Sequence, residues 1–111
     1  MIEIIDGTLL RVFVNERDRH EGILLSEWIV RKARDQGIAG ASVYRAIEGF
    51  GAHAKIHNAR ILDLADNLPI VIEVIDSTEK IAALLPYIDG AVSEGLCTTQ
   101  PLSIRRYRSE K

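Results

Sequence analysis

Two glycines on either side of one aromatic residue, Gly49-Phe50-Gly51, mark the stretch of this chain best suited to meeting another molecule. Lacking Cβ atoms, the backbone there can take positive φ or let a ligand or a neighbouring chain come close. The same pattern also fits a bulge or a plain strand exit. His53 and His57 follow at a spacing that sets two imidazoles on one face of a helix, as a metal site would need. No Cys, third His or acid sits beside them in sequence, so exposed loop residues are the other reading. Glu48 and Glu73 could serve as a carboxylate pair for acid–base work if their strands are adjacent, and are two surface charges if they are not. Arg105, Arg106, Arg108 and Lys111 crowd the C-terminus, opposed there only by Glu110. A short charge run of this kind is commonly a solvated tail. No stretch resembles a nucleophile with its base or a Walker phosphate loop, so binding is expected rather than catalysis.

The elements that must position these residues belong to a chain of 111 residues, 47% hydrophobic and 27% charged, the composition of one ordinary globular domain over 1–111. A chain of this length buries roughly 65% of its unfolded surface, so self-association would help it. A net charge of −2 and a pI near 5.9 offer no electrostatic case for nucleic acid or for an anionic membrane. The single cysteine, Cys97, rules out an internal disulfide and is expected to be a small core residue at a strand entry. Met1 to Asp6 lacks the basic start and apolar run of a signal peptide, and no stretch of about 18 apolar residues occurs, so a cytoplasmic protein is expected.

Taken in order, Thr8–Val14 reads as a largely buried strand and Asn15–Gly22 as a polar turn. Leu24, Leu25, Trp28, Ile29 and Ala33 follow the stripe of a helix that starts near Ile23 or Leu24, with Trp28 in the core and Gly37 as the left-handed residue past its end. Ser42–Ile47 is a second strand, with Val43, Arg45 and Ile47 on one face. The segment 52–67 is a long central loop, of a length that is commonly functional or disordered. Pro69–Ile75 is a third strand, and Asp76 or Ser77 then caps a helix, Asp76 with Glu79 having capping-box spacing. Ile81, Leu84, Leu85, Ile88 and Val92 stay in phase across Pro86, which predicts one kinked helix. Leu102–Tyr107 closes the chain as an alternating strand. The order βαββαβ predicts an α+β ferredoxin-like fold, a four-stranded antiparallel sheet with two helices on one face. The other face, with Phe13, Tyr44, Val71 and Ile75, is too apolar to leave in water.

With the elements in place, Ala33-Arg34, Gly37-Ile38-Ala39-Gly40-Ala41, Glu48-Gly49-Phe50-Gly51, Leu68-Pro69-Ile70-Val71-Ile72-Glu73, Leu85-Pro86 and Gly95-Leu96 together resemble domain of unknown function 190 over nearly the whole chain. More distantly, Gly49-Phe50-Gly51, a long loop and Leu68-Pro69 resemble the nitrogen-regulatory PII signalling proteins, which are ferredoxin-like trimers. That resemblance implies a cytoplasmic homotrimer holding a small anionic ligand, an adenine nucleotide such as ATP, ADP or AMP, in a cleft between subunits. It requires no cofactor beyond this effector. The cleft walls would be Gly49, Phe50 and Gly51, the turn at Glu94-Gly95-Leu96, and Arg105 and Arg106, with Arg45 joining if its side chain reaches them. The central loop would engage a partner protein, and the genomic company such proteins keep implies a membrane transporter. This chain departs from PII at Ala52-His53, where PII proteins carry Arg-Gln, and at Ile70, where they carry a phosphate-contacting lysine. The PII Gly-Asp-Gly-Lys turn is missing as well. The rival readings are a metal-binding trimer of the same fold using His53 and His57, and a small enzyme with an open-face site.

Overall fold

The computed structural model describes residues 1–50 and 67–109, together with the backbone of 57–58. In chain order the elements are β1 (Ile2–Asn15), β2 (Arg19–His20), β3 (Ile23–Leu24), α1 (Leu25–Asp35), β4 (Gly40–Arg45), β5 (Glu48–Gly49), β6 (His57–Asn58), β7 (Pro69–Ser77), α2 (Thr78–Ala91) and β8 (Leu96–Tyr107). Strands β4, β7, β1 and β8 form an antiparallel sheet in that order, while β2–β3 and β5–β6 are short separate ribbons. Both long helices pack on one face of the main sheet, which makes this an α+β ferredoxin-like fold. Among the described residues no helix is long and apolar enough to cross a membrane.

Alternation along the central strands builds the core. Leu10, Val12 and Val14 of β1 and Ile70, Ile72 and Val74 of β7 are buried beneath Leu25, Ile29 and Ala33 of α1 and Ile81, Leu84, Ile88 and Ala91 of α2. Each large side chain taken fully out of water stabilises the fold by about 1.5–3 kcal/mol before entropy is counted. Helix α1 ends where Gly37 takes φ 73°, its N–H donating to the Arg34 carbonyl at 3.0 Å. Helix α2 begins at Ser77, whose Oγ accepts from the Lys80 N–H at 3.3 Å, and it runs through Pro86 as one helix. Asp76 does not form the expected capping box with Glu79. Its carboxylate accepts instead from the N–H groups of Ala39 at 2.8 Å and Ser77 at 2.6 Å, because it ends β7 facing the α1–β4 turn.

Other boundaries also differ from the sequence-based expectation. Strand β1 starts at Ile2 rather than Thr8, since residues 2–6 pair with 103–107 of β8 as a two-stranded ribbon reaching past the end of β7. Charged Asp6 and flexible Gly7 hide that continuity in the sequence. Strand β8 begins at Leu96, six residues earlier than expected, and carries Pro101 within it, which an edge strand tolerates. Strand β4 is shifted toward its N-terminal side and stops at Arg45. The polar turn 15–22 contains β2 and enters a small hairpin, with Glu21 at φ 51° and Gly22 at φ 83° making the reversal. Leu24 lies outside the helix and is exposed, and Trp28 is only half-buried, with its Nε1 donating to Glu21 at 3.2 Å. Cys97 is exposed rather than buried, because β8 is the sheet edge. What cover its thiol has, and then the Asp89 carboxylate, push its pKa up and make it a poor nucleophile.

The uncovered sheet face is ordered in rows. Tyr44, Val71, Phe13 and Leu96 stand side by side across all four strands, with Tyr44 and Leu96 more than half exposed. The next row on that face carries Ser42, Glu73, Arg11 and Thr98, where Arg11 Nε meets Glu73 Oε2 at 2.8 Å.

Candidate functional site

Four distant segments converge at the Phe13 end of the sheet. The chain leaves β4 with the Ala46 N–H donating to the Pro69 carbonyl at 2.9 Å, then passes through β5 to Phe50. After α2, the turn at Glu94-Gly95 brings the chain into β8 beside the end of β1. Phe13, Val14, Asn15, Phe50, Pro69, Glu94, Gly95 and Leu96 together line a groove of about 410 Å³. Two glycines permit it. Gly95 has φ 144°, and a Cβ there would collide with the Phe13 carbonyl oxygen, so the turn can approach β1 only without a side chain. A Cβ on Gly49 would stand 3.2 Å from Pro69 Cγ, a tight contact that Pro69 would have to ease by a few tenths of an ångström. Apart from Asn15 and Glu94 the lining side chains are apolar, which suits a flat group held mainly by packing, with a few polar contacts for orientation.

The expected site residues divide around this groove. Phe50, Glu94, Gly95 and Leu96 line it, and Gly49 lies against Pro69 at its edge. Arg45 is not among the lining residues; its Nε pairs with Glu16 Oε2 at 2.9 Å, and Glu16 Oε1 accepts from the Leu68 N–H at 3.3 Å. Arg45 thereby braces the junction between the ends of β1 and β7. Gly51 and His53 lie outside the described residues, and His57 is described only through its backbone pairing with Gly49. Among the described residues no group of three or more His, Cys, Asp or Glu could hold a metal ion. Ile70 is buried in the core beneath the helices. Glu48 and Glu73 are not brought together: Glu73 stands opposite Ser42 and pairs with Arg11, whereas Glu48 belongs to the separate β5–β6 ribbon.

Arg105 and Arg106 lie at the other end of β8, roughly 30 Å away by strand rise over the ten residues of β1 between Phe13 and Glu3. There they help line a second cavity of about 670 Å³ with Glu3, Lys80, Arg108 and the Gly37–Ala39 turn. Arg106 spans two carboxylates, reaching Asp76 Oδ1 at 3.3 Å and Glu3 Oε1 at 3.4 Å. Arg108 meets the same Glu3 oxygen at 3.4 Å. Lys80 Nζ donates to the Gly37 carbonyl at 2.9 Å, and the Arg105 guanidinium lies 5.9 Å from the Tyr107 ring centre. Burial pushes the Asp76 carboxyl upward, but the N–H groups of Ser77 and Ala39, with the charges of Lys80 and Arg106, outweigh it and hold the pKa below its ordinary value. Sequence reasoning missed Phe13, Asn15 and Pro69 in the groove, and Glu3, Asp76 and Lys80 at the arginines. Phe13 signalled only the open sheet face and Pro69 only a strand start and a family motif, and Glu3 stood in a segment not expected to be a strand.

This fold is that of the PII-like proteins. The chain superposes on CPII, a nitrogen regulatory PII-like protein from Thiomonas intermedia K12 solved with ADP, AMP and bicarbonate, with a TM-score of 0.65 and 16% identity, covering 94% of this chain and 92% of that one. A PII-like signalling protein from Thermus thermophilus gives a TM-score of 0.61 at 16% identity, covering 94% and 92%. Residues 7–104 match the family model of DUF190, described as Uncharacterized ACR. A UPF0166 protein of Aquifex aeolicus (strain VF5) is 33% identical over 103 residues, 93% of this chain and 97% of that protein. UPF0166 protein MJ1524 of Methanocaldococcus jannaschii is 35% identical over 83 residues, 75% of this chain and 76% of that protein. The chain therefore belongs to the DUF190 family, whose fold is that of the PII-like proteins.

Proposed function

We propose that this protein is a PII-like regulator that binds an adenine nucleotide between copies of itself and signals its occupancy to a partner protein through the segment 52–67. The observation that carries this reading is the groove at Phe50 and Glu94-Gly95-Leu96, which four remote segments build and whose closest approach Gly95 permits. The groove supplies apolar walls for a base but no cation among its described lining residues. Phosphate charge must then be met from elsewhere. In a ring of copies, the Arg105–Arg108 end of one chain beside the groove of the next supplies it, and the apolar row Tyr44–Val71–Phe13–Leu96 supplies the surface that holds the ring. CPII, of the same fold, is known with ADP and AMP, which makes these the first nucleotides to try. A homotrimer is the ring we favour, and a membrane transporter is the class of partner. Regulation then requires the nucleotide to prefer one state of the 52–67 segment, since equal affinity for both would shift nothing.

The test is thermal unfolding against ATP, ADP, AMP, cyclic nucleotides and divalent ions, with particle size measured in parallel. A nucleotide at 100 times its dissociation constant adds about 2.7 kcal/mol per site and raises the midpoint by several degrees. The expected result is such a shift with ADP or AMP, lost in Leu96→Glu and in the Arg105→Gln/Arg106→Gln variant. A response to divalent ions alone, or to nothing, overturns the proposal.

A further inference from the structure

The arginine cavity holds a carboxylate where an anionic ligand would sit. One oxygen of Glu3, Oε1, lies 3.4 Å from both Arg106 Nη1 and Arg108 Nη2, so a single negative oxygen is shared by two guanidiniums. Phosphate oxygens engage arginines in the same way. The other carboxylate, Asp76, is buried and fastened by two backbone N–H groups, so it belongs to the wall of the cavity. Glu3 is different: it stands on the ribbon that projects past β7, its side chain is over a third exposed, and its contacts are the two arginines. A charge pair this open to water is held weakly and exchanges readily. We infer that Glu3 is a tethered competitor for the phosphate group of the ligand, occupying Arg106 and Arg108 until a phosphate displaces it. This rests on the nucleotide-binding reading above and adds a device that sets its affinity. A ligand of low charge gains too little at the arginines to displace the carboxylate, whereas a diphosphate gains enough, so Glu3 also selects for phosphate charge.

The experiment is calorimetric titration of the full chain with ADP and, separately, with pyrophosphate, using wild type, Glu3→Gln, Glu3→Gln/Arg106→Gln/Arg108→Gln and the arginine double variant alone. Matched unfolding midpoints and particle sizes establish that each variant is folded and assembled alike. The expected result is that E3Q binds both probes about tenfold more tightly than wild type, and that this gain disappears when the two arginines are also replaced. Unchanged or weaker binding by E3Q, with wild type still binding ADP, overturns the Glu3 inference and leaves the nucleotide reading standing. A gain that persists without the arginines also overturns it, since the effect would not pass through them. Failure of wild type and E3Q alike to bind either probe overturns both.

Discussion

Asp76 joins three parts of the chain through one carboxylate: the end of β7, the α1–β4 turn through the Ala39 N–H, and the β8 arm through Arg106. Because its folded pKa is depressed, the stability it contributes is complete above the ordinary value of 3.8 and is lost as pH falls through the lower folded value. Asp76→Asn is therefore expected to cost about 1–3 kcal/mol at pH 7, with the gap to wild type narrowing below pH ~4, as urea unfolding at a series of pH values would show. Gly95 is the second residue at which a single atom decides the outcome. Gly95→Ala forces a left-handed backbone on alanine and drives its Cβ into the Phe13 carbonyl, so a loss of about 1–3 kcal/mol is expected, with the groove deformed and any ADP-induced thermal shift reduced.

Among the elements, α2 carries the clearest internal conflict. Pro86 sits inside a helix that continues to Ala91, so the proline leaves a carbonyl one turn earlier without its N–H donor. Its phase with Ile81, Leu84 and Ile88 is nevertheless kept, because those side chains are buried against the sheet. Pro86→Ala is expected to raise the urea midpoint, stabilising by about 1–2 kcal/mol, less than the ~3 kcal/mol helix penalty of proline because the unfolded chain also gains freedom. The projecting part of β1 and β8 is the opposite case. A two-stranded ribbon is marginal alone, and here Met1 and Arg108 tie its end through paired backbone bonds of 3.0 Å.

The whole molecule places its apolar groove at one end and its arginines at the other. No rearrangement of side chains within one chain spans that distance, so a site using both requires a second copy. In the proposed assembly, the row Tyr44–Val71–Phe13–Leu96 is the apolar face on which copies would meet. Tyr44 is 54% exposed in the chain alone, so Tyr44→Glu costs the isolated fold little. Light scattering is expected to show Tyr44→Glu shifting to smaller particles than wild type at the same concentration. An unchanged mass would remove this face from the assembly. If the proposed ring forms and Tyr44→Glu dissociates it, any nucleotide response is expected to disappear with it.

The repeated order of strands and helices was legible from the chain, because burial on one side of a strand or helix imposes periods of two and 3.6 residues that local sequence displays directly. So were the caps at Gly37 and Ser77 and the continuity of α2 across Pro86. What sequence could not reveal was which residues face each other across strands. Glu3 and Arg106, Asp76 and Ala39, Glu73 and Arg11 are paired by register, and register depends on where β1 begins and how far β8 extends. The exposure of Cys97 was hidden for a related reason: an apolar residue at a strand position is buried only if another element lies over it. Local pattern determined the elements of this protein, and only their packing decided that its groove and its arginines stand at opposite ends.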